Sequence, residues 1–289
     1  MNFMKTLFLF LLVACLLGVS GCTDSEDSGP DVPEPDSPEP DPDVPTVPKA
    51  SGSASTDTRN ETVNITSEGQ TYLAYTAVPA AEGKYPAVVL IHSFNGFEPG
   101  YQEIVDRMAA DGFVVVAPQW QTYSRSPPDS EVEALVRNSV SYLEGRDDVD
   151  PENLGLTGFC AGGRYTMLFL PRIEEFKSGV AWYGFPYTGG SETQPDQPAS
   201  LIDQLDVPML IIHGTRDQAS NISDIYRYAG ELDTADKYFE LKVYQGEPHG
   251  FMIEDGELSE SFVAQDAYEE MTDFFNRTLN SGTMENSSQ

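Results

Sequence analysis

Three side chains, Cys160, Asp217 and His249, have the types and the chain order that nucleophilic catalysis needs: a thiol, then a carboxylate, then an imidazole. The thiol sits in Gly158-Phe159-Cys160-Ala161-Gly162-Gly163, a cysteine version of the G-x-S-x-G pattern. Glycines two before and two after the nucleophile leave room for a sharp strand-to-helix turn. Such a turn lifts the thiol out of a sheet and sets it at a helix N-terminus, where the dipole favours a thiolate. It also aims the Ala161 N–H at a substrate oxygen. Asp217 ends His213-Gly214-Thr215-Arg216-Asp217, directly after an apolar run, and His249 lies in Gly246-Glu247-Pro248-His249-Gly250-Phe251 after the last strong one. In this arrangement Asp217 orients and charge-stabilises His249, which takes the thiol proton and later activates water. A second oxyanion donor is expected from the loop Ile91 to Gly96, with the Phe94 N–H beside that of Ala161. An inert buried cysteine in a glycine-rich turn is the alternative for Cys160, and the acid and base downstream weigh against it. The other two histidines, His92 and His213, close apolar runs and are expected to pack and bond locally.

These groups meet only if strands carry them to one edge of a sheet. An alternating pattern from Asn60 to Ala77 predicts a pair of strands. Apolar runs at Pro86 to His92, Phe113 to Ala117, Asn153 to Thr157, Gly179 to Tyr183, Val207 to His213 and Tyr238 to Tyr244 read as strands, the first two clearly buried on both faces. Helical spacing appears between them, over Tyr101 to Ala110, Asp129 to Glu144, Ala161 to Leu170, about Ile222 to Leu232 and about Ser261 to Leu279. Regular alternation of strand and helix predicts one α/β domain over residues 51–280, a mostly parallel sheet with helices on both faces. Ligands in such sheets bind beyond the carboxyl ends of the strands, where Ser93, Phe94, Cys160, Asp217 and His249 all fall.

Outside the domain, residues 1–21 carry one lysine, no acidic residue and an apolar run from Leu7 to Val19 too short for a comfortable span, the anatomy of an export signal. Val19-Ser20-Gly21-Cys22 resembles a lipoprotein processing site, which implies cleavage before Cys22, lipidation of its thiol and a membrane-tethered, exported protein. Thr23 to Ala50 holds nine acidic residues and eight prolines with no large apolar cluster, so residues 22–50 are expected to form an extended, disordered tether. Residues 281–289 are expected to form a flexible tail. With Cys15 in the signal and Cys22 at its end, Cys160 is alone in the domain, and no disulfide can form there. The formal charge of −31 would repel nucleic acid and anionic lipid. The sequence carries no metal-ligand spacing, phosphate loop or dinucleotide fingerprint, so no cofactor and no metal are expected.

The elbow Gly158 to Gly163, the acid loop Gly214 to Asp217 and Pro248-His249-Gly250-Phe251 resemble those of the dienelactone hydrolase family, within the α/β-hydrolase superfamily. Matching context extends from about Thr71 to Asn280 and includes Pro86 to Gly96 and Ala109 to Phe113. The resemblance implies a cofactor-free hydrolase acting on a small ester or lactone through a Cys-His-Asp triad. It also exposes a departure. Members that act on dienelactone carry a glutamate where Ser93 stands and grip the substrate carboxylate with arginines, one of them soon after the histidine. Here no arginine occurs between His249 and Arg277, with Arg125 and Arg164 as insecure substitutes. A neutral ester or lactone is the better fit, and Trp120, Tyr123, Trp182, Tyr183 and Phe185 are candidates to line an apolar pocket, if they are not simply core. A thiol peptidase or acyltransferase on the same fold, or a surface binding lipoprotein without catalysis, are the competing readings.

Overall fold

The computed structural model describes residues 57–279. The proposed export signal, Cys22, the acidic tether and the C-terminal tail lie outside these residues. Among the described residues no helix is long and apolar enough to cross a membrane.

Among the described residues there are ten strands and five helices, and the eight strands of the main sheet and the helices follow the alternation of the sequence. Strands β1 (Thr58–Ser67) and β2 (Gln70–Pro79) form a hairpin turned at Glu68 and Gly69. Then come β3 (Tyr85–Ile91), α1 (Pro99–Ala110), β4 (Val114–Pro118), α2 (Asp129–Glu144), β5 (Val149–Phe159) and α3 (Ala161–Phe169). The chain continues through β6 (Phe176–Trp182), β7 (Met209–Gly214), α4 (Ile222–Thr234), β8 (Phe239–Tyr244), a short hairpin of β9 (Ile253–Glu254) and β10 (Glu257–Leu258), and α5 (Phe262–Leu279). Eight strands make one sheet in the order β1-β2-β4-β3-β5-β6-β7-β8. The first two junctions are antiparallel and all the others parallel.

The period-two geometry of a strand explains why a run such as Ala87 to Ile91 is apolar throughout. Ala87, Val89 and Ile91 enter one core with Val132, Leu135 and Val136 of α2, Tyr165 of α3 and Ile225 of α4. Val88 and Leu90 enter the opposite core with Ile104 and Met108 of α1 and Met271 and Phe275 of α5. Every residue of β3 after Tyr85 is therefore buried, and so is all of β4. Helices cover both faces, as the alternation predicted.

Two elements escaped the sequence reading. A 3-10 turn at Pro198–Gln204 bridges β6 and β7, and the β9–β10 hairpin follows the histidine loop. The hairpin is clamped onto α1: the Gly100 N–H donates to the Gly256 carbonyl at 2.9 Å, and a Cβ on Gly100 would lie 2.6 Å from the Leu258 nitrogen. Only two residues pair on each strand, too few for a periodicity to register.

Candidate active site

The elbow forms where β5 ends and α3 begins, and steric necessity accounts for its glycines. A Cβ on Gly158 would sit 2.2 Å from the Gly162 carbonyl oxygen, and one on Gly162 would sit 2.0 Å from that of Ile91. Either contact is impossible, so the turn can close against β3 only with glycine there. Cys160 itself occupies φ 57°, ψ −112°, strained for a residue with a side chain, and caps α3. Its amide donates to the Trp182 carbonyl at 3.0 Å, pinning the elbow to the end of β6.

Strand ends bring the remaining groups to the same edge. Asp217 follows β7 and is buried; its Oδ1 accepts from the amides of Ala219 at 2.8 Å and Ser220 at 2.7 Å. Its Oδ2 lies 2.7 Å from Nδ1 of His249, on the loop after β8. Burial alone would raise the Asp217 pKa, but the hydrogen bond from His249 and the Ser220 amide overcome it and hold the carboxyl below its usual range. For His249, burial opposes protonation, yet the bond to Asp217 and the nearby Cys160 sulfur push its pKa up to about 9. His249 Nε2 is buried without a hydrogen-bond partner in the protein. Cys160 and His249 line one cavity of about 400 Å³ together with Ser93, Glu98, Tyr101 and Tyr183. Neither the Phe94 N–H nor the Ala161 N–H takes part in the loop and turn hydrogen bonds of the described residues.

His92 and His213 are both fully buried. His92 Nδ1 lies 2.8 Å from the Ser93 carbonyl and its ring stacks on Trp120; burial lowers its pKa to about 4. His213 Nε2 bonds the Ser220 carbonyl at 2.9 Å and sits 3.4 Å from Asp217 Oδ2, bracing the acid loop, and burial depresses its pKa as well.

The arginine substitutes and the apolar pocket need correction. Arg164 points away from the cavity: both of its terminal nitrogens lie 2.8 Å from the carboxylate of Asp129, and the pair is almost fully buried. Arg125 stacks over the Phe94 ring at 4.8 Å and is absent from the cavity wall. Of the five aromatic candidates, Trp120 and Trp182 are core, their indole nitrogens donating to the His92 carbonyl and the Thr157 hydroxyl. Tyr123 is half exposed against Tyr72, Phe185 packs on the His249 ring at 5.5 Å, and Tyr183 alone lines the cavity. The wall is more polar than expected because α1 and the β9–β10 hairpin contribute to it. Glu98, at the N-cap of α1, and Asp255 and Gly256 of the hairpin all face the thiol's cavity. Burial pushes the Glu98 carboxyl up in pKa, against a hydrogen bond from Ser93. No spacing in the sequence ties the hairpin to the elbow about a hundred residues earlier. Among the described residues, no group of three or more His, Cys, Asp or Glu side chains is placed to hold a metal ion.

The buried Arg164–Asp129 pair joins α3, which is capped by Cys160, to α2. Asp129→Ala leaves the guanidinium buried and uncompensated, and is expected to lower the unfolding free energy by about 3–5 kcal/mol. Denaturant unfolding of the two proteins measures it; a loss below about 1 kcal/mol, as for a surface pair, would contradict this account.

A mostly parallel sheet, a strand-turn-helix elbow and an acid and histidine on successive strand-end loops define an α/β-hydrolase fold. The chain belongs to the dienelactone hydrolase family, whose model matches residues 120–279; a chlorophyllase model also matches residues 50–167. It is similar to a protein assigned as a carboxymethylenebutenolidase in Methylorubrum extorquens, 28% identical over 70% of this chain and 75% of that one. A second protein of the same assigned name, from Escherichia coli, is 27% identical over 73% of this chain and 84% of its own length. Among solved structures, a protein assigned as a dienelactone hydrolase in Klebsiella pneumoniae superposes with a TM-score of 0.70 at 25% identity, over 76% of this chain and 98% of that one. The acylaminoacyl peptidase of Pyrococcus horikoshii, 18% identical with a TM-score of 0.66 over 77% of this chain and 42% of that one, shares the fold. The chain is accordingly a dienelactone hydrolase-like carboxylic ester hydrolase.

Proposed function

We propose that Cys160, His249 and Asp217 act as nucleophile, base and acid, and that the substrate is an uncharged ester or lactone. The observation that carries the proposal is the 2.7 Å bond between Asp217 and a histidine that shares one cavity with the strained thiol. His249 Nε2 takes the proton from Cys160 Sγ, and the sulfur adds to the carbonyl carbon. The resulting oxyanion is held by the amides of Phe94 and Ala161. Collapse expels the alkoxide, which receives the proton from His249, and leaves a thioester. Water then attacks the thioester as His249 takes its proton, and the thiolate departs and is reprotonated. Asp217 stays ionised throughout and stabilises the imidazolium.

The neutral substrate is supported by the charges on the cavity wall. Glu98 and Asp255 line it, and among its lining residues there is no lysine or arginine. A substrate carboxylate would meet two acidic groups and no lysine or arginine; the one cationic group there, the His249 imidazolium, is already paired with Asp217, so the desolvation penalty is poorly offset. The purified enzyme should therefore turn over a neutral lactone with at least about tenfold higher kcat/KM than a carboxylated analogue of equal size, a preference worth roughly 1.4 kcal/mol. Equal rates, or faster turnover of the carboxylated compound, would show that an unidentified cation serves the pocket. Hydrolysis also requires that water be the acceptor: product analysis with an added alcohol or amine should return mainly free acid, whereas predominant transfer would favour the acyltransferase reading.

A further inference from the structure

Five described residues other than glycine have a positive φ. Three of them, Glu68, Asp236 and Asp255, lie in exposed turns where such a conformation is easily accommodated. The other two are Cys160 and Tyr183, at φ 57° and 37°; neither lies in an exposed turn, and they line the same cavity, which Asp255 also borders. A bulky aromatic residue in this region is strained by about 1–3 kcal/mol, and strain of that size persists only where surrounding structure enforces it. Here the enforcement is visible. The Tyr183 amide donates to the Ile212 carbonyl at 2.8 Å, and the following Gly184 carbonyl accepts from the Ser220 hydroxyl of the acid loop at 2.6 Å. On the other side Gly184 abuts the elbow so closely that a Cβ on it would come within 2.7 Å of the Gly163 carbonyl carbon. The turn is thus clamped between the loops that carry Asp217 and Cys160.

That clamp sets the Tyr183 ring edge-on to the His249 imidazole, 5.0 Å between centroids, and against Phe251. Tyr183 is only 1% exposed, yet its hydroxyl has no hydrogen-bond partner in the protein. A buried phenol without a partner destabilises the fold, and buried tyrosine hydroxyls usually find one. A strained backbone and an unpaired donor at one residue, which lines the cavity of Cys160, have a common explanation. We infer that Tyr183 is a substrate-binding residue whose hydroxyl donates a hydrogen bond to an acceptor oxygen of the bound ester or lactone. The inference rests on Cys160 and His249 being the reacting pair, since Tyr183 lines their cavity.

Tyr183→Phe removes the hydroxyl and keeps the ring. With an uncharged ester, kcat/KM is expected to fall tenfold or more, while the melting temperature stays level or rises because an unpaired polar atom has left the core. The rate at which iodomethane alkylates Cys160 should be unchanged, since that reagent offers no acceptor oxygen and reports only on the thiol and His249. Undiminished kcat/KM in the variant would overturn the inference. So would a drop in melting temperature together with slower alkylation, which would make Tyr183 a structural support. Failure of the underlying triad shows separately: alkylation of the parent enzyme at Cys160 would then leave hydrolysis intact, whatever Tyr183→Phe does.

Discussion

Cys160→Ala and His249→Ala should each reduce kcat/KM for a neutral activated ester by about a thousandfold or more, and the double variant should be little worse than either single one. The expectation follows from the geometry of a unit: once the sulfur is gone the imidazole has no proton to take, and once the imidazole is gone the thiol loses its base. Asp217→Asn should be milder by about tenfold or more, because nucleophile and base both survive. The backbone amides of Ala219 and Ser220 still hold the side chain in place through Oδ1, and what is lost is the charge that supports the imidazolium through Oδ2. The same variant should bring the His249 pKa down from about 9, since the bond to Asp217 is the largest influence raising it. An NMR titration of the imidazole would read that shift. Losses that multiply independently in the double variant would mean that Cys160 and His249 do not act together.

The second large effect is expected at the elbow. Gly162→Ala puts a methyl group 2.0 Å from the Ile91 carbonyl oxygen and 3.0 Å from that of His92, so α3 must retreat from β3 or the elbow must open. Backbone atoms lie on the far side of the clash, and no side-chain rotation relieves it. The substitution should lower stability by about 3 kcal/mol or more, comparable to severe overpacking of a core. Activity should fall with it even where the variant folds, because any retreat of α3 moves the Ala161 amide away from the oxyanion position. By contrast Gly230→Ala, in the exposed part of α4 with nothing within 4 Å of a new Cβ, should be neutral or slightly stabilising. A Gly162→Ala protein with the parent's melting temperature would refute the steric account of the elbow.

The order of elements was legible because burial on both faces of a parallel sheet forces continuous apolar runs, and because helices that cover the sheet must keep their own period. Asp129 to Glu144 was read to the residue; β5 begins earlier than expected, at Val149, because Val149 pairs with Tyr85 ahead of a register shift that accommodates the polar stretch before Leu154. The placement of the candidate thiol, acid and base was legible for a related reason. Each follows a strand of the sheet, and a strand's carboxyl end is a place the topology itself designates. His92 and His213 were separable from His249 because they close strands inside the sheet, where burial keeps them neutral.

Sequence by itself therefore determined the fold class, the chain order of the groups proposed to react and the glycines that the elbow demands. Local sterics and hydrophobic period are short-range properties, and they are written in neighbouring residues. Tertiary structure alone decided the character of the cavity. Glu98 reaches it from the N-terminus of α1 and Asp255 from a hairpin of two-residue strands, and neither position bears a local signal. The same holds for Arg164, whose charge is consumed by Asp129, 35 positions away, and so is withheld from the substrate. It holds most of all for Tyr183. An aromatic residue at the end of an apolar strand looks like core, and only the packing of the acid loop and the elbow around it leaves it lining the thiol's cavity with its hydroxyl buried and without a partner in the protein. Hydrogen-bond satisfaction is a property of the assembled interior, set by which distant groups arrive beside a given atom, and no window of sequence contains it.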